Sequence, residues 1–232
     1  MRALSVTSSI TVRGVADSIR NAIDYLWEAE LLLNYTSLSE TTTRVSWHPI
    51  NPRFAFLDSR EHTTIGQYRN WITGGNYTCV LFDGALLQIS YTIERGQVSG
   101  HRLAYIPCPW DIDSSLIEEG IPLDEILEFY DSDAISMKSP VRFDFDPKAG
   151  RPGHPVSHMT FNSVDCRIAC IAPLHAHRFT NFVFQHFYAD IWSAHREFFA
   201  VAPFRHLGEP VILAEERDDM HIGWNPRLQL SA

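Results

Sequence analysis

The first apolar pattern in the chain repeats near every 3.6 residues. Val15, Ile19, Ala22, Ile23, Leu26, Ala29 and Leu33 fall on one stripe, which predicts an amphipathic helix from Gly14 to Leu33. Residues 1–13 carry no such stripe and read as a frayed end. Asn34 to Thr43 is polar and turn-like. RVSWHP and RFAFLD are short β-like runs that Pro49 and Pro52 confine to edges. Glu61 to Gly75 holds a short helix closed by Gly74-Gly75.

The period then changes to two. YTCVLF, Asp83-Gly84 and ALLQISYTI predict a β-hairpin with a two-residue turn, and Leu87, Ile89, Tyr91 and Ile93 share one face of its second arm. ERGQVSG leads to HRLAYIP and completes a three-stranded antiparallel meander. PCPWDIDSS is a loop, and Leu116 to Tyr130 has a weak helical pattern within an acidic stretch running from Asp111 to Asp133. VRFDFDP follows, with Val141, Phe143 and Phe145 on one face and Arg142, Asp144 and Asp146 on the other. After a loop rich in Pro, Gly and His, Met159 and Phe161 oppose His158 and Thr160. Val164, Cys166, Ile168 and Cys170 then oppose Asp165 and Arg167.

Phe179, Phe182, Val183, Phe187, Ile191, Ala194 and Phe198 line one side of a second long helix from Arg178 to Phe199, which covers the apolar face of the sheet. The tail offers an edge strand at Pro210 to Ala214 and frays near 215–232. The fold class is α+β: an antiparallel sheet, meander plus hairpin, packed against an N-terminal and a C-terminal long helix, as a single domain over residues 1–232.

Composition narrows the setting. Apolar residues make up 45% of the chain, enough for a core. No apolar run approaches the roughly 20 residues that cross a bilayer, and the N-terminus has no signal-like apolar core, which points to a cytoplasmic protein without membrane contact. Cys79, Cys108, Cys166 and Cys170 form no CxxC pair and read as small core residues in a reducing compartment. The net charge of −9 argues against sequence-independent nucleic-acid binding by the whole surface.

The chemical lead is the strand pair around the Pro/Gly/His loop. Asp144 and Asp146, two apart on one strand face, stand about 6–7 Å apart by strand rise, a spacing that suits a divalent cation such as Mg or Mn. His158 shares their parity if the hairpin closes in simple register, and His154 sits in the loop above. A histidine serves there as metal ligand, general base or general acid. Arg167, and Arg142 beside the carboxylates, suit a phosphate or an ion pair with the aspartates. The bland alternatives are a wet acidic strand, exposed histidines and cross-strand salt bridges. His175 and His177 read as surface residues at a helix start. Walker, GxGxxG, GxSxG and HExxH motifs are all missing from the sequence.

VLFDGALLQISY, SGHRLAYIPCPWDID, VRFDFDP, HPVSHMTF, CRIACIAPL and RFTNFVFQHFY together resemble the bacterial family catalogued as domain of unknown function 2290, over about Tyr77 to Tyr188. Families of this kind often travel with mobile or anti-phage defence genes, so the resemblance implies a defence setting and a neighbouring protein partner. It supplies no catalytic residues. A second likeness is to archaeo-eukaryotic primases, in the order FDFD, Val156-Ser157-His158, Val164-Asp165. The gap between the first two is too short for that pattern and no basic groove accompanies it.

Two functions follow as expectations. The first is a metal-dependent, nuclease-like phosphodiester or nucleotide hydrolase. In it Asp144, Asp146 and His158 hold the cation, His154 and His158 move protons, and Arg167 steadies the phosphate. The alternative is a non-catalytic binding or regulatory subunit, whose acidic segment meets a basic partner. If arginines fully pair the aspartates, the first loses its basis.

Overall fold

The computed structural model describes residues 9–47, 56–57, 65–130, 138–151, 153–161, 166–200 and 207–218. The expectations for residues 1–8 and 219–232, His48, RFAFL up to Ala55, His62, Asp131, Asp133, Val164-Asp165, His206 and His221 lie outside these residues.

Helix α1 spans Val12–Glu28, where Thr11 Oγ1 accepts the Gly14 amide as N-cap. Its buried stripe is Val15, Ala16, Ile19, Ala22, Ile23 and Leu26. The helix ends five residues earlier than its apolar period suggests. Glu30 takes φ 59°, its amide bonds Trp27 O, and the Leu31 amide bonds Leu26 O. That paired closure ends a helix through a left-handed residue, and it turns Leu33 into the first sheet edge. Strands β1 (Leu32–Tyr35), β2 (Leu38–Glu40) and β3 (Arg44–Trp47) follow, so the polar run after Leu33 holds strands as well as turns.

Helix α2 spans Ile65–Thr73 and ends at Gly75 with φ 61°. Strands β4 (Cys79–Leu81), β5 (Leu86–Glu94) and β6 (Gln97–Ile106) form the meander. The Asp83-Gly84 turn is one residue longer than expected: Leu81 and Ala85 close it, and Gly84 takes φ 85°. The true two-residue turn is Arg95-Gly96, with φ 53° and 75°, the positive pair that matches strand twist. The acidic stretch is two short helices, α3 (Ser114–Glu118) and α4 (Leu123–Ile126), broken at Gly120, where φ is 79°.

Strands β7 (Val141–Phe145), β8 (Ser157–Phe161) and β9 (Arg167–Ala169) complete an antiparallel nine-stranded sheet in the order β1-β4-β5-β6-β7-β8-β9. β3 shares with β4 one edge of β5, and carries β2. Helices α5 (Ala176–Phe187), α6 (Ala189–Ala194) and α7 (Arg196–Ala200) replace the single C-terminal helix expected from the aromatic stripe. The break falls at Tyr188, whose backbone (φ −139°, ψ 56°) leaves the helix. Its hydroxyl then donates to Asp83 Oδ2 at 2.8 Å and meets the Tyr105 hydroxyl at 3.0 Å. α8 is Ala214–Asp218, and Pro210 to Leu213 forms no strand.

Both faces of the sheet are covered. α1 and α5 pack on Leu87, Ile89, Tyr91, Leu103, Phe143 and Met159. Each fully buried side chain of this size contributes about 1.5–3 kcal/mol through lost apolar surface. On the other face, at the β4–β6 end, Tyr68 and Trp71 of α2 and Leu127 pack on Val80, Leu86, Ala104 and Ile106. Cys79 and Cys108 are buried in these cores, with burial pushing the Cys79 thiol up to about 12, whereas Cys166 is exposed and is no core residue.

Candidate functional site

Two cross-strand rows build the polar part of the second face. Ser90, Arg102, Asp144, His158 and Ala169 stand opposite one another across β5 to β9. The next row is Gln88, Ala104, Arg142, Thr160 and Arg167. The expected register of Asp144 against His158 is therefore present. The face is not wet: Arg142 is 5% exposed, Asp144 8% and His158 3%. Its cover comes partly from Leu57, whose carbonyl accepts from Arg142 Nη1 at 3.2 Å and whose amide donates to Gln88 Oε1 at 3.0 Å.

Asp144 is the hub. Arg142 Nε donates to Oδ2 at 2.5 Å and Arg102 Nε donates to Oδ1 at 3.1 Å. Burial would raise this carboxyl, but the two guanidinium charges outweigh it and hold it below its ordinary range. Arg102 also lies over the Phe56 ring, 5.4 Å from its centroid. Sequence reasoning missed Arg102. It sits in the meander, and only the pairing of β6 with β7 brings it to Asp144.

His158 Nδ1 lies 2.8 Å from the Pro155 carbonyl, which can only accept, so Nδ1 carries the proton and the neutral ring leaves Nε2 bare. Nε2 is 3.7 Å from Asp144 Oδ2. Burial lowers the His158 pKa, against the opposing pull of Asp144. His154 packs edge-on against this ring at 4.9 Å, and its Nδ1 is buried without a hydrogen-bond partner among the described residues. Arg167 is half-buried on β9 across from Thr160 and is held in its own interactions.

Asp146 departs from the expected cluster. It lies just past the end of β7, is exposed, and spends Oδ1 on the Lys148 amide at 2.9 Å, a turn contact. The proposed metal set Asp144, Asp146 and His158 thus does not fit a divalent cation. Both Asp144 oxygens already accept from guanidinium groups, which keep their charge, and a dication would sit against two fixed positive charges. No group of three or more His, Cys, Asp or Glu among the described residues is placed to hold a metal.

A second pair resembles a nucleophile and its base. Ser18 Oγ and His175 Nε2 are 3.5 Å apart. Here the His177 amide donates to His175 Nδ1 at 3.1 Å, so in the neutral ring Nε2 bears the proton and cannot take one from Ser18. His175 is the N-cap of α5, a structural role, and burial pushes its pKa down to about 4.

A concave feature of the surface lies elsewhere. A cleft of about 470 Å³ opens between the end strand β1, the C-terminal end of α2 and the α3–α4 loop. Leu33, Ile72, Val80, Ile117, Ile121 and Ile126 supply its apolar walls, and Asn34, Tyr77 and Asp124 its polar groups.

The family described as "Uncharacterized conserved protein (DUF2290)" matches the chain over residues 28–224. No curated protein and no solved structure matches it. No helix among the described residues is long and apolar enough to cross a membrane.

Proposed function

From the premise that this chain belongs to the DUF2290 family, we propose that it is a non-catalytic binding or regulatory subunit of a multi-protein assembly in the cytoplasm. One observation carries the reading. Asp144, the carboxylate best placed for chemistry, is neutralised on both oxygens by Arg102 and Arg142. Asp146 is turned to a loop amide, and the arginines beside them serve as structural counter-ions. The metal-dependent hydrolytic centre expected here needs a carboxylate free to hold a cation or move a proton. This face instead offers an ion-pair cluster that ties β6 to β7.

The acidic stretch supports the same reading. Glu118, Glu119, Asp124, Glu125 and Glu128 are exposed and have no salt bridge to any described residue. Unpaired surface carboxylates in a chain of net charge −9 suit contact with a basic protein surface and disfavour a polyanionic substrate.

The test is incubation of the full chain with Mg or Mn and DNA, RNA or nucleoside triphosphates, beside the Asp144→Ala, Asp146→Ala double variant and an Asp144→Asn variant. Wild type is expected to turn over nothing that the variants do not. Turnover lost in Asp144→Asn, with an unchanged circular dichroism spectrum, overturns the proposal.

A further inference from the structure

We infer that the cleft beside β1 binds an extended, basic segment of a partner protein that carries one bulky aliphatic or aromatic side chain. This inference rests on the binding reading above and assigns it a surface and a partner chemistry.

The cleft has the volume for a single side chain and its flanks, and its lining is about equally apolar and polar. The floor here is Val80 and Ile126, both buried, and the walls are Leu33, Ile72 and Ile121. β1 ends the sheet, with β4 its one neighbour among the described strands, so an extended chain can approach the cleft from the open side.

A hydrogen-bond donor waits inside. Tyr77 is 6% exposed and lines the cleft. Its hydroxyl oxygen accepts from Asn34 Nδ2 at 3.1 Å, and its own proton reaches no acceptor among the described residues. A phenol buried to this degree normally spends its proton. A backbone carbonyl of a segment laid along β1 would accept it. Burial and the nearby Asp124 charge raise the Tyr77 pKa, so the hydroxyl keeps that proton.

Charge selects the partner. Asp124 lies in the lining, and Glu118 at the end of α3, Glu119 just past it and Glu125 on α4 are exposed and unpaired among the described residues. The nearest arginine on α2, Arg69, donates instead to the Leu127 and Tyr130 carbonyls and stacks on Trp110. Among the described residues that line the cleft, the one charged side chain is Asp124. It favours lysine or arginine next to the anchoring side chain and repels an acidic segment.

The experiment uses the full chain and a fluorescein-labelled peptide that alternates leucine and lysine around a central phenylalanine. Fluorescence anisotropy is read against a peptide with glutamate in place of lysine, and one with glycine in place of every apolar residue. Saturable binding by the first peptide alone is expected. It should weaken tenfold or more in an Asp124→Lys, Glu125→Lys variant whose circular dichroism spectrum matches wild type, both substitutions being on exposed positions. Tyr77→Phe should weaken it several-fold while the chain stays folded by circular dichroism. Binding of the glycine peptide as tight as that of the first would show mere charge attraction and overturn the inference. So would no saturation, or binding indifferent to the charge swap. The hydrolysis assay is separate: Asp144-dependent turnover would overturn the binding reading and leave the peptide result standing.

Discussion

Arg142 and Asp144 stand two residues apart on one face of β7, and the Nε of the first meets Oδ2 of the second at 2.5 Å within the covered side of the sheet. Neighbours at this spacing on a solvated strand contribute little, because water screens them. Here the side chains are 6% and 11% exposed. Removing one partner strands the other as a buried charge, which costs about 3–5 kcal/mol, while replacing both with apolar groups of similar size is often neutral. Asp144→Asn should therefore lower the urea unfolding free energy by a few kcal/mol. The Arg142→Met, Asp144→Leu double variant should recover most of the loss. An Asp144→Asn chain as stable as wild type would refute the clamp.

Much of this arrangement was legible beforehand, and the reason is periodicity. Val141, Phe143 and Phe145 on one parity, with Met159 and Phe161 on another short run, fix which face is apolar and hence that Asp144 and His158 share the other. What periodicity cannot show is what lies above that second face. Leu57 comes from a segment far from β7 in sequence, and Arg102 reaches Asp144 only because β6 pairs with β7. A strand with charges on alternate positions reads as wet unless those long-range partners are known. The break in the C-terminal helix was hidden for a related reason. Its aromatic stripe runs unbroken through Tyr188, and the break goes with hydroxyl contacts to Asp83 and Tyr105, which lie 105 and 83 positions away in the chain.

His101 gives the chain an acid-sensitive joint. It is buried at 6% exposure on the apolar side of β6, against the rings of Tyr91 and Phe145, and its Nε2 accepts the Leu174 amide at 2.9 Å. Burial pushes its pKa from 6.5 down to about 4, with the Asp144 charge opposing and His158 adding to the shift. As pH falls below about 6.5 the unfolded chain binds the proton first, so stability is lost between about pH 6.5 and pH 4 and levels off below. At about 1.4 kcal/mol per pH unit the full loss approaches roughly 3 kcal/mol. Asp144, whose pKa is depressed, adds its own loss only at lower pH, below the ordinary value of 3.8. Urea midpoints at about pH 7 and pH 5 check this. His101→Gln, which can still accept the Leu174 amide but does not titrate, should make the profile shallower and leave the share of His175, whose pKa burial also pushes down to about 4. An equal slope in that variant would remove His101 as the cause.

Glu30 is the residue that ends α1, and it does so with φ 59°, where a side chain is strained. The left-handed conformation costs a non-glycine residue about 1–2 kcal/mol. Glycine removes that cost but gives up about 0.5–1 kcal/mol through the freer unfolded chain. The strain outweighs the lost chain entropy, so Glu30→Gly should stabilise the protein by up to about 1 kcal/mol and raise the urea midpoint. The Leu31 amide would keep its bond to Leu26 O, and β1 would keep its place against β4. Glu30→Val, with a β-branched side chain at the same φ, should lower the midpoint instead. If both substitutions move stability the same way, the end of α1 is not set by this left-handed turn.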